Sequence, residues 1–103
     1  MATPLNLDTA DRGDGTRVLT ATGEIDLSNI DDFTGALSAA GTDSAMLIVD
    51  LSGVLYLDSG AINVLFANAD RIHLIASPVL MPVLKISGLT DVVSVEAALP
   101  PDG

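Results

Sequence analysis

The sequence predicts an α/β domain, a mixed four- to five-stranded β-sheet packed by about four helices. Three observations carry this. Two alternating β-forming segments flank an Asp14-Gly15 turn signal near the start. Two apolar, β-branched runs, 45–51 (AMLIVDL) and 71–76 (RIHLIA), read as buried strands. Apolar stripes of helical period alternate with those runs. A hairpin followed by alternating helices and strands builds a mixed sheet with helices packed on it. The expected order is β-β-α-β-α-β-α-β-α, with right-handed crossovers between parallel strands.

Leu5, Leu7 and Thr9 alternate with polar partners and predict the first strand. Residues 16–22 (TRVLTAT) pair back on it as a hairpin, and Gly23-Glu24-Ile25-Asp26 then breaks the strand. In the first helix, Ser28 is the expected N-cap and Asp31 completes a box-like pattern. Ile30, Phe33, Leu37 and Ala40 form its apolar stripe, and Gly41 follows its end. The flat hydrophobicity of 45–51 predicts a strand covered on both faces. Ser52-Gly53 is expected to turn the chain, leaving 54–57 as a short apolar approach to Asp58.

The second helix is expected over about 59–70, capped by the Asp58 carboxylate, with Ile62, Leu65, Phe66 and Ala69 facing inward. Ser77-Pro78 supplies a cap and a proline for the start of a third helix. Its inner face is Leu80, Val83 and Leu84, and Gly88 stops it. Pro82 lacks an amide hydrogen, so that helix is kinked or starts late. Residues 92–95 predict the last strand and 96–99 a final fragment of helix. Pro100-Pro101 continues neither a helix nor a central strand.

A length of 103 residues fits one domain, 1–103, with its core over about 5–99. At 49% hydrophobic, the chain is too apolar for a disordered tail. Four Lys and Arg against fourteen Asp and Glu leave a net charge of −10, which argues against nucleic acid and against an anionic membrane surface. With no Cys and one His, thiol chemistry and Cys- or His-rich metal sites are excluded. The first fifteen residues hold no apolar signal core, and no run of about 18 apolar residues exists. A cytoplasmic domain that neither binds nor spans a membrane is expected.

An enzyme is not expected. Asp31 and Asp32 are neighbours on a helix and point in different directions, so they read as a solvated face rather than an acid–base pair. His73 sits in a predicted strand, with no reason to approach Ser59. Gly13-Asp14-Gly15 reads as a hairpin turn, not a phosphate-cradling loop.

The informative segment is 50–62, DLSGVLYLDSGAI. A strand ends, and a serine arrives at the first turn of a helix. Its hydroxyl is expected to face solvent in positive potential, where unpaired amide hydrogens and the helix dipole converge. A phosphate placed there meets backbone donors and changes the local charge by about −1.5 to −2. On spacing alone, Asp58-Ser59-Gly60 reads first as a helix cap and nothing more.

Gly23-Glu24-Ile25-Asp26, then 47–51 (LIVDL), then Tyr56-Leu57-Asp58-Ser59, then Ser77-Pro78 and Ser87-Gly88-Leu89 follow one another as in a known family. In order and approximate spacing the chain resembles a STAS domain, specifically the single-domain anti-sigma factor antagonists of the SpoIIAA type. The resemblance implies a non-catalytic protein that binds an anti-sigma factor with serine kinase activity and releases the sigma factor. It implies Ser59 as phosphoacceptor, a phosphatase that resets the switch, and no cofactor of its own, since the kinase brings ATP and Mg²⁺. The implied partner-binding residues are Asp26, Asp58, Ser59, Gly60, Ala61 and Asn63, on a monomer or weak dimer. The family's Asp-Ser-(Ser/Thr)-Gly becomes Asp58-Ser59-Gly60-Ala61 here. The second hydroxyl is missing, and the Ala61 methyl is expected where a partner's backbone comes close. The stretch before Ser77-Pro78 is also short and lacks the family's Gly-rich turn. The Gly60-Ala61 change favours the alternative, a STAS scaffold module of a sensory complex or transporter that is not phosphorylated.

Overall fold

The computed structural model describes residues 4–12, 15–41 and 46–98. Expectations for Gly13-Asp14, Ala45 and the tail from Leu99 onward lie outside these residues. Five strands, β1 (Asn6–Asp11), β2 (Arg17–Ile25), β3 (Leu47–Leu57), β4 (Ile72–Ala76) and β5 (Ser94–Ala97), form one sheet in sequential order. β1 and β2 are antiparallel; β2 through β5 are parallel. Helices α1 (Ile30–Ala40), α2 (Ser59–Ala67) and α3 (Met81–Ile86) fill the crossovers, and a 3-10 turn (Leu89–Asp91) follows α3.

Sequential parallel order has a geometric consequence. Right-handed crossovers that all step in one direction put every helix on the same face. Burial agrees. Leu19, Val49 and Leu74 of the sheet join Phe33, Leu37, Leu65 and Leu84 of the helices in a single core. The alternate residues Val18, Thr20, Ile48, Asp50, His73 and Ile75 are half-buried. The expectation that 45–51 is covered on both faces is therefore corrected: one face is packed and the other is partly open. Flat hydrophobicity does not distinguish the two cases, because Ile48 and Ile75 tolerate a half-open face.

β3 does not turn at Ser52-Gly53 as expected but runs on for 11 residues. It gains one residue against β2 between Asp50 and Gly53, opposite Thr20 and Thr22, and another between Val54 and Tyr56, opposite Gly23 and Glu24. These are β-bulges, each leaving one residue out of the ladder. Buried positions consequently step by two and then three: Leu47, Val49, Leu51, Val54, Leu57. β2 likewise continues through Gly23, whose φ is +98°, to Ile25 instead of breaking there. Gly53 is required for close approach, since a Cβ there would lie 2.7 Å from Thr22 Cγ2.

Several helical expectations change. α1 is flanked by Asn29, not Ser28, and no side chain caps it. α3 begins late, as Pro82 in its first turn leads one to expect, but the Ser77-Pro78 cap gives way to a turn in which Leu80 N–H donates to the Ser77 carbonyl at 3.0 Å. The last strand, expected over 92–95, is observed two residues on as β5, so Glu96 and Ala97, expected to begin a final helix fragment, pair with β4 instead, and Ala98 N–H donates to the Ala76 carbonyl at 2.8 Å. The free edge of β4 offers those backbone groups a ladder, which a helical fragment of four residues cannot match. Among the described residues three α-helices, rather than about four, thus pack the sheet. Phe66, expected in the core, is 37% exposed, because Ala61, Ile62 and Leu65 form the buried stripe of α2.

Gly53→Ala is expected to destabilise the domain by about 1–2 kcal/mol, since the β-branched Thr22 cannot swing its methyl aside. Thr22→Ser removes the clashing methyl, so the double variant should recover most of the loss in urea unfolding.

Candidate functional site

β2 and β3 end side by side, with Ile25 opposite Leu57 and Asp58 N–H donating to the Ile25 carbonyl at 3.2 Å. Two connections therefore leave the same edge of the sheet together. One is the turn 26–29 into α1, and the other is Asp58 into α2.

Asp58 is the N-cap of α2 in extended conformation, as expected, and its carboxylate accepts the Ala61 N–H at 2.9 Å. Its backbone carbonyl accepts the Ile62 N–H at 3.1 Å. The amides of Ser59 and Gly60, also in the first turn, have no acceptor within the helix. Ser59 is the first helical residue and is exposed. Its hydroxyl thus stands at the positive end of the α2 dipole. Asn63, one turn along, shares that face and is exposed. Gly60 and Asp58 are half-buried.

Ala61 is different. It is fully buried, so its methyl packs into the core and is not presented at the surface. This corrects its expected place among partner-binding residues: the fourth position of the segment points inward because it lies on the Ala61–Leu65 stripe. Its bearing is on packing beneath the site.

Asp26 is half-buried beside this edge. Its carboxylate accepts the Ser28 N–H at 2.9 Å and the Ser28 hydroxyl. Ser28, read from sequence as a helix cap, closes the turn instead. Asn29 is the residue that sequence reasoning missed. Its side-chain carbonyl accepts the Asp26 N–H at 3.0 Å, and its amide donates to the Glu24 carbonyl at 2.9 Å. The Asp-x-Ser-Asn composition was the available signal, because short polar side chains fold back on nearby backbone in such turns.

Charge is partitioned by the topology. Glu24, Asp26, Asp31, Asp32 and Asp58 lie at the edge where β2 and β3 end, and neither 24–32 nor 54–63 holds a Lys or Arg. Arg12, Arg17 and Arg71 lie where the parallel strands begin, and Lys85 is in the last turn of α3, returning toward that edge. Arg17 pairs with Asp11 at 3.0 Å. His73 lies on the half-open sheet face, its Nε2 3.6 Å from the Glu96 carboxylate, apart from Ser59. Among the described residues no cluster of His, Asp or Glu could hold a metal ion, and no helix is long and apolar enough to cross a membrane.

A family model described as the Mlab, STAS domain matches residues 9–95. An anti-sigma factor antagonist from Mycobacterium paratuberculosis is similar in structure, with 25% identity and a TM-score of 0.85, over 93% of this chain and 88% of that one. The anti-sigma factor antagonist SpoIIAA in its unphosphorylated form shares the fold at 18% identity and a TM-score of 0.71, over 94% of this chain and 91% of that one. No curated protein sequence matches the chain.

Asp58→Ala removes the acceptor of the Ala61 N–H and is expected to cost about 1 kcal/mol. Asp58→Ser should retain most of that stability, as read by thermal unfolding in circular dichroism.

Proposed function

The chain belongs to the STAS domain family, and from that premise we propose that it is an anti-sigma factor antagonist switched by phosphorylation of Ser59. The observation that carries this reading is the exposed hydroxyl of Ser59 at the first position of α2. Unmodified, the edge formed by Asp26, Asp58, Ser59, Gly60 and Asn63 docks on an anti-sigma factor in the cytoplasm. Docking competes with the sigma factor and frees it for transcription. The protein needs no cofactor of its own.

The partner is a serine kinase in this reading. It brings ATP and Mg²⁺ and transfers the γ-phosphoryl group to the Ser59 oxygen, while the hydroxyl proton passes to a base on the kinase. Transfer requires that oxygen to abut the nucleotide phosphates. Afterwards a dianion on Ser59 faces the remaining ADP phosphates at short range, and no Lys or Arg of this edge neutralises it. Like charges brought together and desolvated cost affinity, so the complex separates. A phosphatase restores the hydroxyl. Carboxylates around Ser59 meanwhile suit a partner whose outer docking rim is basic.

Incubation with purified anti-sigma factor kinases and ATP is expected to add one phosphate, located on Ser59 by intact and peptide mass spectrometry. Ser59→Ala should keep the partner, and Ser59→Asp should weaken it by about tenfold or more. Equal binding of all three forms sinks the switch. A partner that binds tightly without transferring phosphate points to the unphosphorylated scaffold module instead.

A further inference from the structure

We infer that Leu27 is the apolar anchor of the docking edge, seating in a hydrophobic socket rimmed by Lys or Arg on the protein partner; this rests on the function proposed above. Leu27 is 84% exposed, on a turn that has no need of its side chain. The turn is held entirely by its neighbours. Asp26 binds Ser28 through its carboxylate, Asn29 bridges the Asp26 amide and the Glu24 carbonyl, and Asn29 N–H donates to the Asp26 carbonyl at 3.1 Å. Leu27 is thus carried on a backbone fixed before binding. Burying it gains the hydrophobic contribution while losing little conformational freedom.

Register places it beside the switch. Leu27 follows Ile25 by two residues, Ser59 follows Leu57 by two, and Ile25 and Leu57 are partners across adjacent strands. The partner that grips Ser59 therefore meets Leu27 in the same contact. Charge identifies what surrounds the socket. Leu27 has Glu24, Asp26, Asp31 and Asp32 near it in sequence and Asp58 across the strand pair, with no Lys or Arg on this edge among the described residues. An apolar socket with an acidic or uncharged rim leaves these carboxylates desolvated and unpaired, whereas a basic rim pairs them. This arrangement, a central apolar contact within a polar ring, is the one that concentrates binding energy.

The test compares two exposed apolar residues. Ile86, at the end of α3 and away from Ser59, is 88% exposed and serves as the control. The probe is a purified anti-sigma factor kinase that binds the wild-type chain, and affinity is read by calorimetry at two salt concentrations. Leu27→Ser is expected to raise Kd about tenfold or more, Ile86→Ser to leave it unchanged, and added salt to weaken both wild type and Ile86→Ser. Wild-type affinity in Leu27→Ser, or an equal loss in Ile86→Ser, overturns the anchor and leaves the switch standing. Failure of every such kinase to bind the wild type overturns the proposed function and the anchor together. Because both side chains lie largely in solvent, unfolding midpoints of the two variants should match wild type, which separates lost binding from lost folding.

Discussion

The parallel pairing of β2 with β3 is the constraint on which the rest depends. Over the eight steps from Arg17 to Ile25, β3 advances ten residues, from Leu47 to Leu57. Without the two added residues Ile25 would face Leu55, and the segment carrying Ser59 would start from a different place along the edge. With them, Leu57 lies opposite Ile25, and Asp58 is tied to the end of β2 by a backbone hydrogen bond. Inward phase is kept by the same device. Val54 and Leu57 reach the core while Leu55 and Tyr56 stay exposed. Gly53 allows the strands to close at the first bulge, where any larger residue meets Thr22.

One-sided layering follows from the strand order and shapes the chemistry. All helices leave from the edge where the parallel strands end, so their N-termini and the turns that precede them gather there. Helix N-termini favour anionic groups, and Asp31 and Asp32 in the first turn of α1, with Asp58 before α2, fit that preference. The basic residues belong to the strand starts and to the last turn of α3. A net charge of −10 is thus not spread evenly by kind: among the described residues one edge carries acidic side chains without Lys or Arg, and the opposite one is mixed. For binding, this distribution matters more than the total, because it fixes which face a basic partner approaches.

The elements themselves were legible in the sequence wherever neighbouring residues determine them. Asp58 caps α2 because its carboxylate reaches an amide three residues on, and Pro82 delays α3 because it has no amide to donate. The stripe Phe33-Leu37-Ala40 faces the core as its period requires. Long-range relations were not legible. Ser52-Gly53 has turn composition yet sits within a strand, because β2 supplies a partner on both sides of the bulge. The last strand was expected over 92–95, but that it takes in Glu96 and Ala97 follows from the free edge of β4. Asn29 replaces Ser28 beside α1 because the end of β2 places the Glu24 carbonyl and Asp26 amide within its reach.

The amino-acid sequence by itself determined that a serine opens the second helix behind an acidic cap, in an acidic chain without thiols. Those properties are local or compositional, and short-range hydrogen bonding suffices to produce them. Only the tertiary structure decided that Ser59 stands beside the turn carrying Leu27, that Ala61 points into the core, and that no Lys or Arg among the described residues shares that edge. Strand register and the common face of the helices set those neighbours, and both arise from contacts between residues far apart in the chain.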